Sequence, residues 1–302
     1  MKVSIVIVAY NSFNHLKACL DSVLRQTYPD YEIIVIDNNS RDGSLNLVKE
    51  NYPMVKTLRN VNNLGYCRAN NQGIMMTRGD YVLTMNPDIM LDEDFLKTMI
   101  EKADSLPQAG SFGPKLLRLI NNQKSDMLDS SGLKILPYYK IVERGSGEHD
   151  KGQYDQPEEV FGISGACVMY SKSALEVIKE NNQYFDERFF LYKEDVDLAW
   201  RLKEKGWQSW YLPKALAWHK RTASGNEKTS NWKTIRERRK RKLLVSYYSY
   251  RNHLLLLTKH LNRKTFWKSA WLIIPYEIGK FAYLLLFETR NIKGFFDYLK
   301  IK

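Results

Sequence analysis

Hydrophobic residues in the first half of the chain fall into short β-branched runs, separated by longer stretches of mixed character. Val3-Ser4-Ile5-Val6-Ile7-Val8-Ala9 has almost no polar interruption, which predicts a strand buried on both faces. Glu32-Ile33-Ile34-Val35-Ile36 repeats the pattern and stops at Asp37. Tyr81-Val82-Leu83-Thr84-Met85 repeats it again and stops at Asn86-Pro87-Asp88. Between these runs, Asn11 and Ser12 can cap a helix from Leu16 to Arg25, and Asp42-Gly43-Ser44 opens another. Alternating strands and helices imply an α/β fold with a parallel, doubly wound sheet. Ligands of such sheets bind beyond the carboxyl ends of the strands. Tyr10-Asn11, Asp37-Asn38-Asn39 and Asn86-Pro87-Asp88 all fall at such ends.

The middle of the chain is less regular. Residues 121–156 are polar, with Gly145, Gly147 and Gly152, and predict loops and edge hairpins. Phe161 to Tyr170 is strand-like with embedded glycines. Ser173 and Glu176 have the spacing of a capping box. Phe189-Phe190-Leu191-Tyr192 leads into Glu194-Asp195-Val196-Asp197 and a helix that ends at Gly206. After His219 the pattern changes. Lys220 to Lys242 is densely basic, Leu243 to Leu261 mixes Leu and Tyr with cations, and Phe266 to Phe287 is apolar but broken by Lys268, Pro275, Glu277 and Lys280. No stretch is expected to reach the roughly 18 uncharged apolar residues of a spanning helix. Basic, aromatic-rich amphipathic helices lying in a membrane interface fit this pattern, and so does a helical pair packed on the main domain. The expected division is a domain over 1–220 and a helical extension over 221–302.

Charge sharpens that division. The 302 residues carry a net charge of +12, yet the first 219 hold 26 Lys and Arg against 29 Asp and Glu, and residues 220–302 hold 20 against 5. A basic segment seeks a polyanion. Its Leu, Ile and Trp content favours an anionic membrane surface over nucleic acid. Cys19, Cys67 and Cys167 form no CxxC pair, which suits reduced, buried thiols in a cytosolic setting. Met1-Lys2 runs straight into a strand, so no signal segment is expected.

Four positions could carry chemistry. Asp88, ending a buried strand, could hold a divalent cation whose remaining positions are filled by phosphate oxygens, or could simply form a turn. Asp37 could accept a hydrogen bond from a pyrimidine imide or a ribose hydroxyl, or cap the next helix. Glu194, Asp195 and Asp197 start a helix whose dipole keeps a carboxylate ionised and ready to take a proton; ordinary dipole complementation reads equally well. Glu194 and Asp197 share a helix face that Asp195 does not. His219 could offer a neutral imidazole nitrogen to a metal, or be a satisfied polar residue.

In chain order, these segments resemble family 2 inverting glycosyltransferases of the GT-A fold, and the bacterial rhamnosyltransferase-like branch in particular. The likeness runs through Ile7-Val8-Ala9-Tyr10-Asn11, Val35 to Ser44, Asn62 to Gly73, Met85-Asn86-Pro87-Asp88, Gly165-Ala166, Tyr192 to Leu198, Trp218-His219 and Tyr247 to Asn252. The resemblance implies that Ala9, Asn11 and Asp37 bind the nucleoside, and that Gly65 and Asn70 lie near the ribose and diphosphate. Asp88 would be the main ligand of Mg²⁺ or Mn²⁺, with Asn86 standing where the usual Asp-x-Asp has its first aspartate. His219 would be a further metal or diphosphate contact. Asp195 would be the general base, with Gly165 and Glu194 on the acceptor and sugar side. A nucleotide-sugar donor, a lipid-linked or polysaccharide acceptor, dTDP-rhamnose as the sugar source and a peripheral site on the cytoplasmic face of the plasma membrane follow as expectations. A nucleotidyltransferase would need a glycine-rich basic loop after the first strand, where Ala9-Tyr10-Asn11-Ser12-Phe13 stands instead. A nucleic-acid-binding protein has only the basic tail in its favour.

Overall fold

The computed structural model describes residues 2–221 and 232–301, apart from the side chains of 232–242. The chain divides into two compact units. Met1–Lys134, Glu143–Phe190 and Glu194–Arg221 form the first, and Ile135–Val142, Leu191–Lys193 and Thr222–Lys302 the second.

The first unit is built on a mixed sheet. Its strands β1 (Val3–Ala9), β2 (Tyr31–Asp37), β3 (Lys56–Arg59) and β4 (Tyr81–Met85) run parallel in the order β3-β2-β1-β4. Helices α1 (Phe13–Leu24), α2 (Ser44–Asn51) and α3 (Tyr66–Met75) make the crossovers. Every residue of β1 is buried, which is why it has no alternating polar positions. Ala9 lies opposite Asp37 and Ile7 opposite Met85, so the polar ends of three strands share one edge of the sheet.

The parallel arrangement expected from the pattern holds for β1 to β4 and then gives way. Next in the chain come β5 (Ile89–Leu91), α4 (Phe95–Asp104), β6 (Ala109–Ile120), β7 (Gln123–Ser130), and the short ladder of β8 (Leu133–Ile135) with β9 (Ile141–Glu143). Then follow β10 (Glu158–Val160), β11 (Cys167–Ser171), α5 (Lys172–Val177), α6 (Glu194–Glu204) and β12 (Gln208–His219). β11 is inserted antiparallel between β4 and β6, and β12 runs parallel to β6 but antiparallel to β5 and β10. Cys19, Cys67 and Cys167 are free and buried.

Two local expectations are corrected. α1 begins at Phe13 rather than Leu16, and the Ser12 hydroxyl accepts from Tyr10 N–H at 3.2 Å instead of capping the helix. The Ser173–Glu176 capping box does not form, because α5 starts before it, at Lys172. The Ser173 hydroxyl pairs with that of Ser171 at 2.8 Å.

The second unit contains α7 (Trp232–His260), α8 (Arg263–Phe287) and α9 (Lys293–Ile301). Asn262 caps α8 by accepting from Thr265 N–H at 2.8 Å, and the helix continues through Pro275. α8 is long and apolar enough to cross a membrane by length and composition, although Glu277 and Lys280 interrupt it and no stretch of 18 residues is free of charge. Glu277 and Lys280 are the only charges in residues 269–286. Of the basic run Lys220 to Lys242, the side chains from 222 onward lie outside the described residues.

Candidate active site

At the ends of β1 and β2, Asp37 is 1% exposed. Its Oδ2 accepts from Ser40 N–H at 3.3 Å, but Oδ1 is buried without a hydrogen-bond partner. A buried carboxylate oxygen left unpaired is costly, and a ligand N–H or hydroxyl would complete it. Ala9 O, beside it, accepts from Asn38 N–H at 2.8 Å. Asn11 takes a positive φ of 50° and braces the neighbouring loop, its side-chain oxygen accepting from Arg41 N–H at 2.9 Å. The fold thus brings Ala9, Asn11 and Asp37 to one place. Asp37→Asn should leave the melting temperature of the ligand-free protein unchanged or higher, since it removes an unpaired buried charge. It should also weaken nucleoside diphosphate binding by about 10- to 100-fold in calorimetry.

Gly65 and Asn70 serve the start of α3. Gly65 has φ 83°, and a Cβ there would lie 2.4 Å from the Phe190 ring, so backbone and packing both require glycine. Asn70 is buried and donates to Tyr66 O at 3.0 Å. The Tyr66 hydroxyl in turn donates to Gly165 O at 3.0 Å.

Asp88 is buried in the turn between β4 and β5. β12 pairs antiparallel with β5, placing His219 opposite Ile89. His219 Nε2 lies 3.3 Å from Asp88 Oδ1, and its Nδ1 lies 2.8 Å from Asp129 Oδ2. Asp129, on β7, also pairs with Arg118 at 3.2 Å and with Arg221. Burial opposes a charged imidazole, but the charge of Asp88 and the hydrogen bond to Asp129 outweigh it and raise the His219 pKa to about 9. That shift favours the imidazolium at neutral pH, so a metal binding at Nε2 would have to displace a proton from the ring.

The donor set suits a divalent cation. An oxygen and a nitrogen converge, and a carboxylate on the other ring nitrogen orients the histidine, as around many metal-bound histidines. The described residues contain no group of three or more His, Cys, Asp and Glu able to hold a metal, so Asp88 and His219 would be the two protein donors and diphosphate oxygens would have to supply the rest.

Asp195 sits in the first turn of α6. Its Oδ2 accepts from Gly165 N–H at 2.8 Å and its Oδ1 from Val196 N–H at 2.8 Å. A Cβ on Gly165 would come within 3.0 Å of Asp195 Cβ, so glycine permits this approach. The next residue, Ala166, accepts from Asn86 N–H at 2.9 Å. Two consecutive residues, Gly165 and Ala166, thus join the Asp195 side of the site to the Asn86-Pro87-Asp88 turn. Glu194 is also buried, whereas Asp197 points into the protein and pairs with Arg201 at 2.9 Å.

A second link was invisible in the sequence. Glu143 accepts from Ser164 Oγ at 2.9 Å and bonds Ser130 Oγ. Its pKa is raised to about 7, first by burial and then by the negative charges of Asp195 and Asp129. Glu143 and Asp129 lie in the polar stretch read only as loops and hairpins, and no periodicity or motif singles them out.

The sign of the pH effect is fixed by that shift. Between 4.5 and about 7 the folded state keeps a proton that the unfolded chain releases, so Glu143 makes stability fall as pH rises through this window. Glu143→Gln should remove roughly 2–3 kcal/mol of that loss, as read by urea unfolding of both proteins at pH 5 and pH 8.

The fold is that of a GT-A glycosyltransferase, with a polar edge at the ends of β1 and β2, an acidic turn after β4, and a carboxylate opening α6. A family model described as glycosyl transferase family 2 matches residues 4–179, and a second, glycosyl transferase family group 2, matches 146–292. The chain belongs to glycosyl transferase family 2.

Among its relatives is an N-acetylglucosaminyl-diphospho-decaprenol L-rhamnosyltransferase of Mycobacterium tuberculosis, 28% identical over 250 residues, covering 75% of this chain and 79% of the relative. A poly-beta-1,6-N-acetyl-D-glucosamine synthase of Staphylococcus epidermidis is 27% identical over 72% of this chain and 49% of its own length. In fold, the chain resembles GalNAc-T7 solved with UDP, GalNAc and Mn²⁺ (TM-score 0.60, 14% identity, 72% of this chain and 44% of that one). It also resembles S. aureus TarS (TM-score 0.56, 16% identity, 88% and 50%).

Proposed function

We propose that this glycosyltransferase moves L-rhamnose from dTDP-rhamnose to a hydroxyl of a growing, lipid-linked glycan, with inversion at the anomeric carbon. The observation that carries this reading is the Gly165-Ala166 pair, which holds Asp195 with one residue and the Asn86-Pro87-Asp88 turn with the other. Support for the sugar and acceptor comes from the rhamnosyltransferase relative.

In this reading the nucleoside lies against Ala9, Asn11 and Asp37, with the unpaired Asp37 Oδ1 taking its polar hydrogen. Asp195 removes the proton of the acceptor hydroxyl as that oxygen bonds to the anomeric carbon and the bond to the nucleotide diphosphate breaks. The Gly165 N–H holds the Asp195 carboxylate in place at the N-terminus of α6. Mg²⁺ or Mn²⁺ held by Asp88 and His219 would neutralise charge on the departing diphosphate. Residues 1–220 form the catalytic domain. The extension over 221–302 holds the protein peripherally to the anionic cytoplasmic face of the plasma membrane. That attachment is supported by its 19 cations against 5 anions and by exposed Trp267 and Trp271.

The test is a panel of nucleotide sugars, scored for thermal stabilisation and slow hydrolysis with Mg²⁺, Mn²⁺ or a chelator. Stabilisation by dTDP-rhamnose that the chelator abolishes is expected. A response to a UDP- or GDP-sugar instead would overturn the choice of donor, and no response to any would overturn the reading as a whole.

A further inference from the structure

The second unit carries a cationic, tyrosine-lined cluster that the sugar-transfer chemistry does not use. Lys280 of α8 stands 5.0 Å from the centre of the Tyr250 ring and 5.7 Å from that of Tyr276. Tyr276 packs on Tyr138 with ring centres 4.5 Å apart, and Tyr138 belongs to the hairpin segment that also carries Lys140. Lys193 completes the group. Its segment is tied to α7 by Asn252, whose amide donates to Leu191 O at 2.8 Å and Tyr192 O at 2.6 Å. The charges of Lys140 and Lys193 both act on Lys280.

Lys193 and Lys280 both act on one carboxylate, Glu277, which is already held by His253 at 2.6 Å, and Lys140 acts on Lys280. Among the described residues, Lys140 and Lys280 form no ion pair, and the hydroxyls of Tyr138, Tyr250 and Tyr276 have no hydrogen-bond partner. The cations Lys140 and Lys280, free phenol donors and a half-buried ammonium together suit a compact polyanion rich in acceptor oxygens. In the chain, Lys193 is followed directly by Glu194 and Asp195.

We infer that Lys140, Lys193 and Lys280, with Tyr138 and Tyr276, form a binding site for the phosphate or diphosphate ester of a lipid. The occupant is the diphosphate of the lipid-linked acceptor, an assignment that rests on the proposed function. The same chemistry would also hold a phospholipid headgroup or free pyrophosphate.

The experiment uses the full chain in mild detergent and measures binding of a short-chain prenyl diphosphate, of inorganic pyrophosphate, and of phosphatidylcholine vesicles with and without phosphatidylglycerol. Donor hydrolysis without acceptor is followed in parallel. Lys140→Ala/Lys280→Ala should weaken prenyl diphosphate binding about tenfold or more with donor hydrolysis unchanged. Lys140→Glu, a change at an exposed position that folding tolerates, should weaken it in the same direction. If vesicle binding alone falls in the variants, the site holds and its occupant is a headgroup. If pyrophosphate binds as tightly as the prenyl ester and is lost in the variants, recognition stops at the diphosphate. Equal binding of every probe by wild type and variants overturns the site. Loss of donor hydrolysis in wild type would overturn the proposed reaction and leave the binding result standing.

Discussion

Asp195→Asn is expected to lower turnover by about 10²- to 10⁴-fold while leaving donor affinity as it was. Both carboxylate oxygens are committed to backbone N–H groups, of Gly165 and Val196, at 2.8 Å. Those bonds fix the orientation of the carboxylate at the start of α6. Asparagine has one acceptor where two are needed, and its amide would confront one of the two N–H donors. The variant therefore loses the proton acceptor and some of its alignment together, which is why the effect belongs at the upper part of the range. Nucleotide binding is assigned to Ala9, Asn11 and Asp37, which touch neither N–H. Single-turnover transfer at saturating donor, paired with calorimetry of donor binding, separates the two quantities. Full transfer by Asp195→Asn would end its assignment as the base.

The fold was legible where burial imposes a pattern. β1, β2 and β4 are covered on both faces, and their apolar runs and polar endings placed Asp37 and Asp88 at one edge before any coordinates. The register of β5 with β12 was not legible, and it alone decides that His219 meets Asp88. Glu143 and Asp129 escaped for a different reason. Their surroundings come from Ser130, Ser164 and Arg118, distant in the chain, and a carboxylate in a polar stretch looks like any solvated one. The apolar length of α8 is masked in the sequence by Glu277 and Lys280, which read as breaks. Glu277 and Lys280 instead turn toward His253, Tyr250 and Tyr276, which lets the helix keep an apolar exterior.

The acidic motif at α6 contains two aspartates two residues apart, and they should fail in opposite ways. The side chain of Asp197 is 0% exposed and that of Arg201 is 4% exposed, with Nε to Oδ2 at 2.9 Å. Arg201 also donates to Ile178 O at 2.8 Å and Tyr184 O at 2.6 Å. Removing the arginine takes the ion pair from a buried carboxylate and the donors from two carbonyls at once, a loss of about 3–5 kcal/mol. Arg201→Ala should accordingly shift the urea midpoint steeply downward, whereas Asp195→Asn, which gives up one of two N–H bonds, should lose less. Arg201→Lys supplies a charge but cannot span all three acceptors in a fixed fork, so it should fall between them. Any activity Arg201→Lys loses on warming should return on cooling, because its defect lies in holding α6 against the 178–184 segment and not in proton transfer. An Arg201→Ala protein as stable as wild type would show that Asp197 has another partner for its charge, and the division of the motif into one reacting and one anchoring carboxylate would fail.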